Sequence, residues 1–380
     1  MRVKLKECKL GDVLEFKRGY DLPKKSRVDG IVPIISSSGV SGFHNEAKAK
    51  APGVVTGRYG TLGEVFYVDE DYWPLNTALY VKDFKGNYPR YIKYFLERLD
   101  IAELNAAGAV PGLNRNHLHM LDVRVIEDYE AQKHVSNTLE NYDNLIENNN
   151  RRIQILETIA QKLYQEWFIH YRFPGHAQAQ WRETEQGKIP AGWEVRCIKD
   201  FGEIITGKTP SKRKPENYRS RDVQFIKTPD MHNGVYVLET SEMLSEVGAS
   251  SQKTKFIPVG SLMVSCIGTA GVVAINTERA QTNQQINTIV LNDEFAREFL
   301  YFALLGLKQT IINHGSTGAT MTNLSKGKFE ALEVTTPSTK LIEKFSHRVK
   351  PMFNQMLLLM KKNKNLQKQR DLLLPKLISK

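Results

Sequence analysis

The longest uninterrupted pattern in the chain runs from Tyr129 to Tyr171, and it contains neither Pro nor Gly. Its apolar positions are Val135, Leu139, Tyr142, Ile146, Ile153, Leu156, Ala160, Leu163 and Trp167, with Asn149 filling the one gap. Steps of four and three residues alternate throughout. Such a heptad seam lays a single apolar stripe along a long α-helix. Phe173, Pro174 and Gly175 end it, since Pro cannot continue a helix and Gly favours its exit. The C-terminus repeats the pattern at a constant offset: Phe345, Val349, Met352, Met356, Leu359, Asn363, Leu366, Arg370, Leu373 and Leu377. Pro351 and Pro375 predict a kink or fraying in this copy. A helix of ~40 residues is ~60 Å long, and two apolar stripes of that length do not stay in water. The two helices are therefore expected to pack on each other as a coiled coil, with Asn149 and Asn363 fixing register.

Outside the seams the periods shorten. In residues 1–128, Leu10–Phe16 reads as strand or helix ahead of the basic turn Lys17-Arg18-Gly19-Tyr20. Ile31–Ile35 is a short apolar strand that ends in the loop Ser36-Ser37-Ser38-Gly39. Val54-Val55-Thr56 enters Gly57-Arg58-Tyr59-Gly60-Thr61-Leu62-Gly63, and Glu64–Val68 is the next strand. Tyr88–Leu104 has helical spacing, Ala107–Gly112 reads as a turn, Leu113–His119 as a polar basic loop, and Leu121–Ile126 as a closing strand.

Residues 194–337 repeat residues 1–128. Tyr59-Gly60-Thr61-Leu62-Gly63 corresponds to Ile267-Gly268-Thr269-Ala270-Gly271, and Gly108-Ala109 to Gly318-Ala319. Leu118, Leu121 and Val123 correspond to Phe329, Leu332 and Val334, and Leu10-Gly11-Asp12-Val13 to Phe201-Gly202-Glu203-Ile204. Order is kept and the offsets drift only by insertions, which is the signature of an internal duplication. The expected organisation is α+β: a globular domain at 1–128, a helix at 129–172, a linker at 173–193, a second globular domain at 194–337 and a second helix at 338–380. Ser36-Ser37-Ser38 and Arg58 have no twins in the second copy. A shared scaffold with divergent loops suits two different recognition surfaces.

Composition narrows the partner. Lys and Arg number 53 against 42 Asp and Glu, a net charge of +11, and the pI is near 9.3. This balance points to a polyanion, with nucleic acid ahead of an acidic membrane surface. The first ten residues lack the apolar run of a signal peptide, and no window approaches the ~18 apolar residues of a membrane span. Cys8, Cys197 and Cys266 are too scattered for a disulfide framework or zinc site. A reducing cytoplasm is the expected location.

Catalytic motifs are few. Gly202-Glu203-Ile204-Ile205-Thr206-Gly207-Lys208-Thr209 fits a phosphate-binding loop in letters. Such a loop feeds a helix, whereas here a β-branched middle favours strand and Pro210 and Pro215 frame a segment without helical period. Neither an Asn-Pro-Pro-Tyr nor an Asp-Pro-Pro-Tyr stretch occurs, and the nine histidines show no zinc spacing.

Together these features resemble the specificity (S) subunit of type I restriction-modification enzymes, across essentially the whole chain. The resemblance rests on the double repeat and on Gly187-Lys188-Ile189-Pro190-Ala191-Gly192-Trp193. It also rests on Ile205–Ser211, Gly315–Thr320, the helix tail Leu156–Phe168 and Leu372-Leu373-Leu374-Pro375-Lys376-Leu377. It implies two target recognition domains, each reading half of a split DNA site, held apart by two antiparallel helices in a pseudo-twofold arrangement. It implies no catalysis by this chain. Adenine-N6 methylation and ATP-dependent cleavage would belong to two methyltransferase (M) and two restriction (R) subunits, which use S-adenosylmethionine, ATP and Mg2+. The first domain has Lys17-Arg18-Gly19-Tyr20 where the second has Ile205-Thr206-Gly207-Lys208, so half-site identity does not transfer.

On this reading Lys24, Lys25, Arg27, Lys208, Lys212, Arg213 and Lys214 are candidates for phosphate contacts, which position a protein without specifying sequence. Arg58, Tyr59, Asn114, Arg115 and Asn116 are candidate base readers in the first domain. Asn283, Gln284, Gln285, Thr317 and Thr320 are those of the second, because Arg pairs with guanine and Asn or Gln with adenine. Asn283-Gln284-Gln285 would equally serve to cap a turn. Trp167, Phe168, Tyr171, Leu372 and Leu374 are candidates for docking the methyltransferase, against the alternative of packing on the chain's own domains. Two other functions fit the same features: a coiled-coil scaffold with two protein-binding domains, and the DNA-recognition subunit of a related methyltransferase-nuclease system.

Overall fold

The computed structural model of the protein describes residues 4–99, 112–184, 187–315 and 322–378. It forms two compact units, Met1–Asn148 with Asn363–Lys380, and Asn149–Lys362. The division passes through both long helices, so each unit owns half of each.

In the first unit a four-stranded sheet has the order Glu15–Arg18, Ala78–Asp83, Gly53–Gly57, Val65–Val68. Beside it lies a three-stranded sheet ordered Gly39–His44, Val32–Ser36, Trp73–Pro74. Leu5–Lys9 pairs with Asp122–Ile126 and closes the unit. Helix Pro89–Arg98 starts on a Pro, whose missing N–H is harmless in a first turn. It buries Tyr91, Ile92, Tyr94, Phe95 and Leu96. Phe16, Val54, Leu118, Val123, Val135, Leu139 and Ile378 complete that core.

The second unit has the same plan. Gly202–Thr206, Ile286–Leu291, Leu262–Ser265 and Val273–Asn276 lie in the order of the first unit's four-stranded sheet, with Tyr236–Val237 added at the edge. Glu242–Leu244, Val223–Ile226 and Ala280–Thr282 reproduce the three-stranded sheet, including one antiparallel and one parallel pairing. Glu194–Cys197 pairs with Glu333–Thr336 as the closing ladder. Gly202–Thr206 is thus a strand, and the next helical element is the single 3-10 turn Pro215–Tyr218, not the α-helix a phosphate-binding loop feeds.

One sequence alignment shifts by three residues. The Leu10 amide donates to the Leu121 carbonyl at 2.9 Å and the Ile198 amide to the Leu332 carbonyl at 2.9 Å. Asp12 accepts from the Lys9 amide as Asp200 does from Cys197. Leu10–Val13 therefore corresponds to Ile198–Phe201 rather than to Phe201–Ile204. The shared Phe/Leu-Gly-acid lettering is coincidental, because the ladder contacts decide the register.

The central helix is α-helical over Tyr129–Tyr164 and continues as a π-turn over Gln165–Ile169. The C-terminal helix spans Thr339–Ile378 without a break. Pro351 and Pro375 do not interrupt it, contrary to the expected fraying. Both side chains face solvent, where the carbonyl left without its usual donor reaches water instead. Within each unit the helix halves run antiparallel. In the first, Asn363 Nδ2 donates to the Ile146 carbonyl at 3.4 Å, and Arg370 Nη1 meets Asp143 at 2.6 Å. In the second, the Phe345 ring lies 5.9 Å from Trp167 and 5.0 Å from Phe168. Phe353, outside the heptad count, is fully buried while Met352 is only half-buried. The inner face follows the straight-helix i, i+4 row there because it packs on a domain as well as on a helix. Residues 173–193 contain a hairpin, Trp181–Thr184 with Gly187–Pro190. Trp193 is buried against Phe168, Tyr171 and Phe173.

Candidate nucleic-acid interface

Four loops distant in sequence meet at one end of the first unit's larger sheet. The antiparallel order brings the exit of Glu15–Arg18, the entry of Ala78–Asp83 and the exit of Gly53–Gly57 to the same edge. The Gly19 amide donates to the Ala78 carbonyl at 3.1 Å. The Arg58 and Tyr59 amides both donate to the Thr77 carbonyl, at 2.8 and 3.1 Å. The Leu113 amide donates to the Arg58 carbonyl at 2.9 Å, which brings in the short helix Arg115–His119. A Cβ on Gly57 would stand 3.2 Å from that of Ser37, so the Ser36–Gly39 turn borders the same cluster.

The second unit repeats three of these links. The Gly207 amide donates to the Ile286 carbonyl at 3.1 Å, Cys266 to Gln285 at 2.7 Å, and Leu324 to Cys266 at 2.9 Å. A Cβ on Gly19 would lie 2.1 Å from the Leu75 carbonyl oxygen and one on Gly207 2.1 Å from that of Asn283, so only Gly fits at either place. Position 58 thus corresponds to 266, 76 to 284 and 21 to 209. The backbone is shared and the side chains differ. Arg58 lies with its guanidinium 4.5 Å from the ring centre of the exposed Tyr59. Cys266 is buried, which pushes its thiol up to about 11 against hydrogen bonds from Asn287.

Among the sequence candidates, Lys24, Lys25, Arg115, Asn116, Lys208, Arg213, Lys214 and Gln284 are exposed, and Gln285 is half-buried. Arg27 reaches the Ser41 carbonyl at 2.9 Å. Lys212 pairs with Glu242 at 2.9 Å, which raises the lysine and lowers the carboxyl. Asn114 accepts from the Asn116 amide at 2.9 Å and so caps its helix. Asn283 is corrected: it is buried, and its side chain accepts from the Gln285 amide at 3.1 Å, a turn-former rather than a base reader. Thr317 and Thr320 lie outside the described residues. Trp167 and Phe168 are also corrected as docking residues, because both are buried in the second unit's core with Phe299 and Phe345. Tyr171 is half-buried against Trp181 and Trp193, and Leu374 packs on the first unit's core. Leu372 stays exposed at 59%.

Sequence reasoning placed His119 in a polar basic loop and missed what its ring holds. Its Nε2 accepts from the Phe16 amide at 2.9 Å and its ring stacks on Phe16. Burial lowers its pKa from the ordinary imidazole value, and the Arg115 charge adds to this. The bond requires the neutral ring. Its contribution is therefore full above the unfolded value of ~6.5 and is lost as pH falls through the lower folded value. Ring-proton NMR should show His119 titrating below the ordinary imidazole value, with faster amide exchange at Phe16 in the acidic limb. A titration midpoint at or above that ordinary value would contradict the assigned role.

Among the described residues, no cluster of His, Cys, Asp and Glu is arranged to hold a metal, and no helix is long and apolar enough to cross a membrane. Residues 2–158 and again 190–368 match the type I restriction modification DNA specificity domain. The chain belongs to this family of DNA specificity subunits. Two copies of the family's domain account for the duplicated strand order. The specificity subunit of the type I restriction enzyme HindI from Haemophilus influenzae is 33% identical over 336 residues, 73% of this chain and 72% of that one. The MjaIX specificity subunit of Methanocaldococcus jannaschii is 24% identical over 303 residues, 77% of this chain and 69% of its own length. The crystal structure of the type I restriction-modification S subunit from M. genitalium shares the fold, with a TM-score of 0.66 at 14% identity over 100% of this chain and 97% of that one.

Proposed function

We propose that this specificity subunit reads a bipartite, asymmetric DNA site, one half per globular copy, and carries no catalytic step itself. The supporting observation is the pairing of matched backbone positions with unlike side chains, Arg58 with Cys266 and Asn76 with Gln284. Phosphate contacts from Lys24, Lys25, Lys208, Arg213 and Lys214 would set orientation, and side chains on the converging loops would set sequence. Methyl transfer and cleavage belong, in this reading, to two M and two R subunits with S-adenosylmethionine, ATP and Mg2+. The exposed Ile155, Ile159 and Leu372 on the long helices suit their docking.

The helices act as the spacer between half-sites. Removing one heptad from each shortens the helical stretch by ~10 Å, or about three base pairs at ~3.4 Å each. Selection from randomised duplexes should return two half-site motifs with the wild-type chain and the same motifs with a shorter gap after the double deletion. Failure of the wild type to enrich any motif would leave the scaffold alternative, and an unchanged gap would remove the spacer role.

A further inference from the structure

The equivalence of Asn76 and Gln284 extends to what holds each amide. Asn76 Nδ2 donates to Asp21, which is itself 3.5 Å from the Arg18 guanidinium. Gln284 Oε1 instead accepts from the Thr209 hydroxyl at 2.6 Å. Asp21 and Thr209 occupy the same place, two residues after Gly19 and Gly207. A carboxylate only accepts, so it takes the Asn76 amino group and turns the amide's carbonyl oxygen away from Asp21. A hydroxyl donating to Gln284 does the reverse and leaves the amino group free.

We infer that positions 76 and 284 are the matched base-reading residues of the two halves, that the acceptor-only Asp21 fixes the hydrogen-bonding polarity of Asn76, and that the Thr209 hydroxyl orients Gln284 the opposite way. Asn76 presents an acceptor, which suits a base with an exocyclic amino group in the major groove, adenine N6 or cytosine N4. Gln284 presents a donor, which suits guanine O6 or N7 or thymine O4. Arg18, 3.5 Å from the Asp21 carboxylate, acts as a positioning residue. Arg58 reads beside Asn76 from the other side of Thr77, whose carbonyl holds the Arg58 amide. Neither amide lies in a buried core: Asn76 is half-buried and Gln284 is exposed.

This inference rests on the proposed reading of DNA, and one experiment separates the two. The full chain and its variants are put through selection from a randomised duplex pool, with melting measured in parallel. Asn76→Ala should reduce discrimination at one base pair of one half-site by about tenfold, with the other half-site unchanged. Gln284→Ala should do the same in the other half. Asp21→Thr keeps Asn76 but installs the second half's partner, and should relax the demand for an amino-bearing base at that same pair; it also decides the matter if Asn76→Ala melts early. Unaltered preferences in Asn76→Ala and Asp21→Thr, or an equal loss at every position of both halves, would overturn the inference while leaving DNA reading intact. A wild-type chain that enriches no motif would remove both.

Discussion

Phe345→Ala is expected to destabilise the second unit by about 3–5 kcal/mol, the range for deleting a fully buried aromatic ring. Phe345 has no exposed surface, and its ring centre lies 5.0 Å from Phe168, 5.9 Å from Trp167 and 6.2 Å from Tyr164. These three come from the end of the central helix, so one side chain near the start of the C-terminal helix fastens both helices to one core. The surrounding rings are rigid and do not collapse into the space, which puts the cost near the upper part of the range. At ~2–4 °C per kcal/mol for a unit of this size, melting should fall by roughly 10 °C or more. Leu372→Ala, at an exposed position, should stay within ~0.5 kcal/mol. Calorimetry distinguishes the two, and a Phe345→Ala melt equal to that of Leu372→Ala would contradict the packing described.

The second large effect is electrostatic and belongs to the first unit. Asp143 accepts from Tyr94 Oη at 2.6 Å and Arg370 Nη1 at 2.6 Å, and lies 3.3 Å from Lys93 Nζ. Burial alone would push its carboxyl up, but the hydrogen bonds from Tyr94 and Arg370, with the Lys93 charge, outweigh it and hold the group below the ordinary carboxylate value. Arg370 sits on the apolar seam as the heptad count indicated, and this carboxylate explains why an Arg is tolerated there. Asp143→Ala leaves two cations facing each other with one acceptor gone and should cost about 2–3 kcal/mol at neutral pH. A carboxyl lowered on folding adds stability above its unfolded value of ~3.9 and loses it as pH falls through the folded value. The gap between wild type and variant should therefore be full at pH 7 and close below about pH 4. A double-mutant cycle with Arg370→Ala should show strong coupling, and additive losses would place the stabilisation elsewhere.

Much of the architecture was open to a reader of one dimension. A heptad seam is a local periodicity, and a duplication shows in the recurrence of Gly-Thr-x-Gly with its flanking apolar residues. Both survive without knowledge of any contact. The strand at Gly202–Thr206 was also legible, since β-branched residues in the middle of an apparent phosphate loop oppose the helix such a loop needs. Burial was less so. Trp167 and Phe168 look like anchors for a partner in the sequence, yet the domain that follows them folds back over both, and no local pattern announces that.

The chain by itself determined that there are two copies of one scaffold and two long amphipathic helices, because period and repetition are properties of neighbouring residues. Only the folded molecule decided the equivalence of Leu10 and Ile198, the inward turn of Asn283 and the opposite amide orientations of Asn76 and Gln284. The first depends on backbone hydrogen bonds between segments far apart in sequence, the others on which group each side chain meets. Register in such ladders is set by which carbonyl each amide reaches, not by resemblance between the letters that carry them.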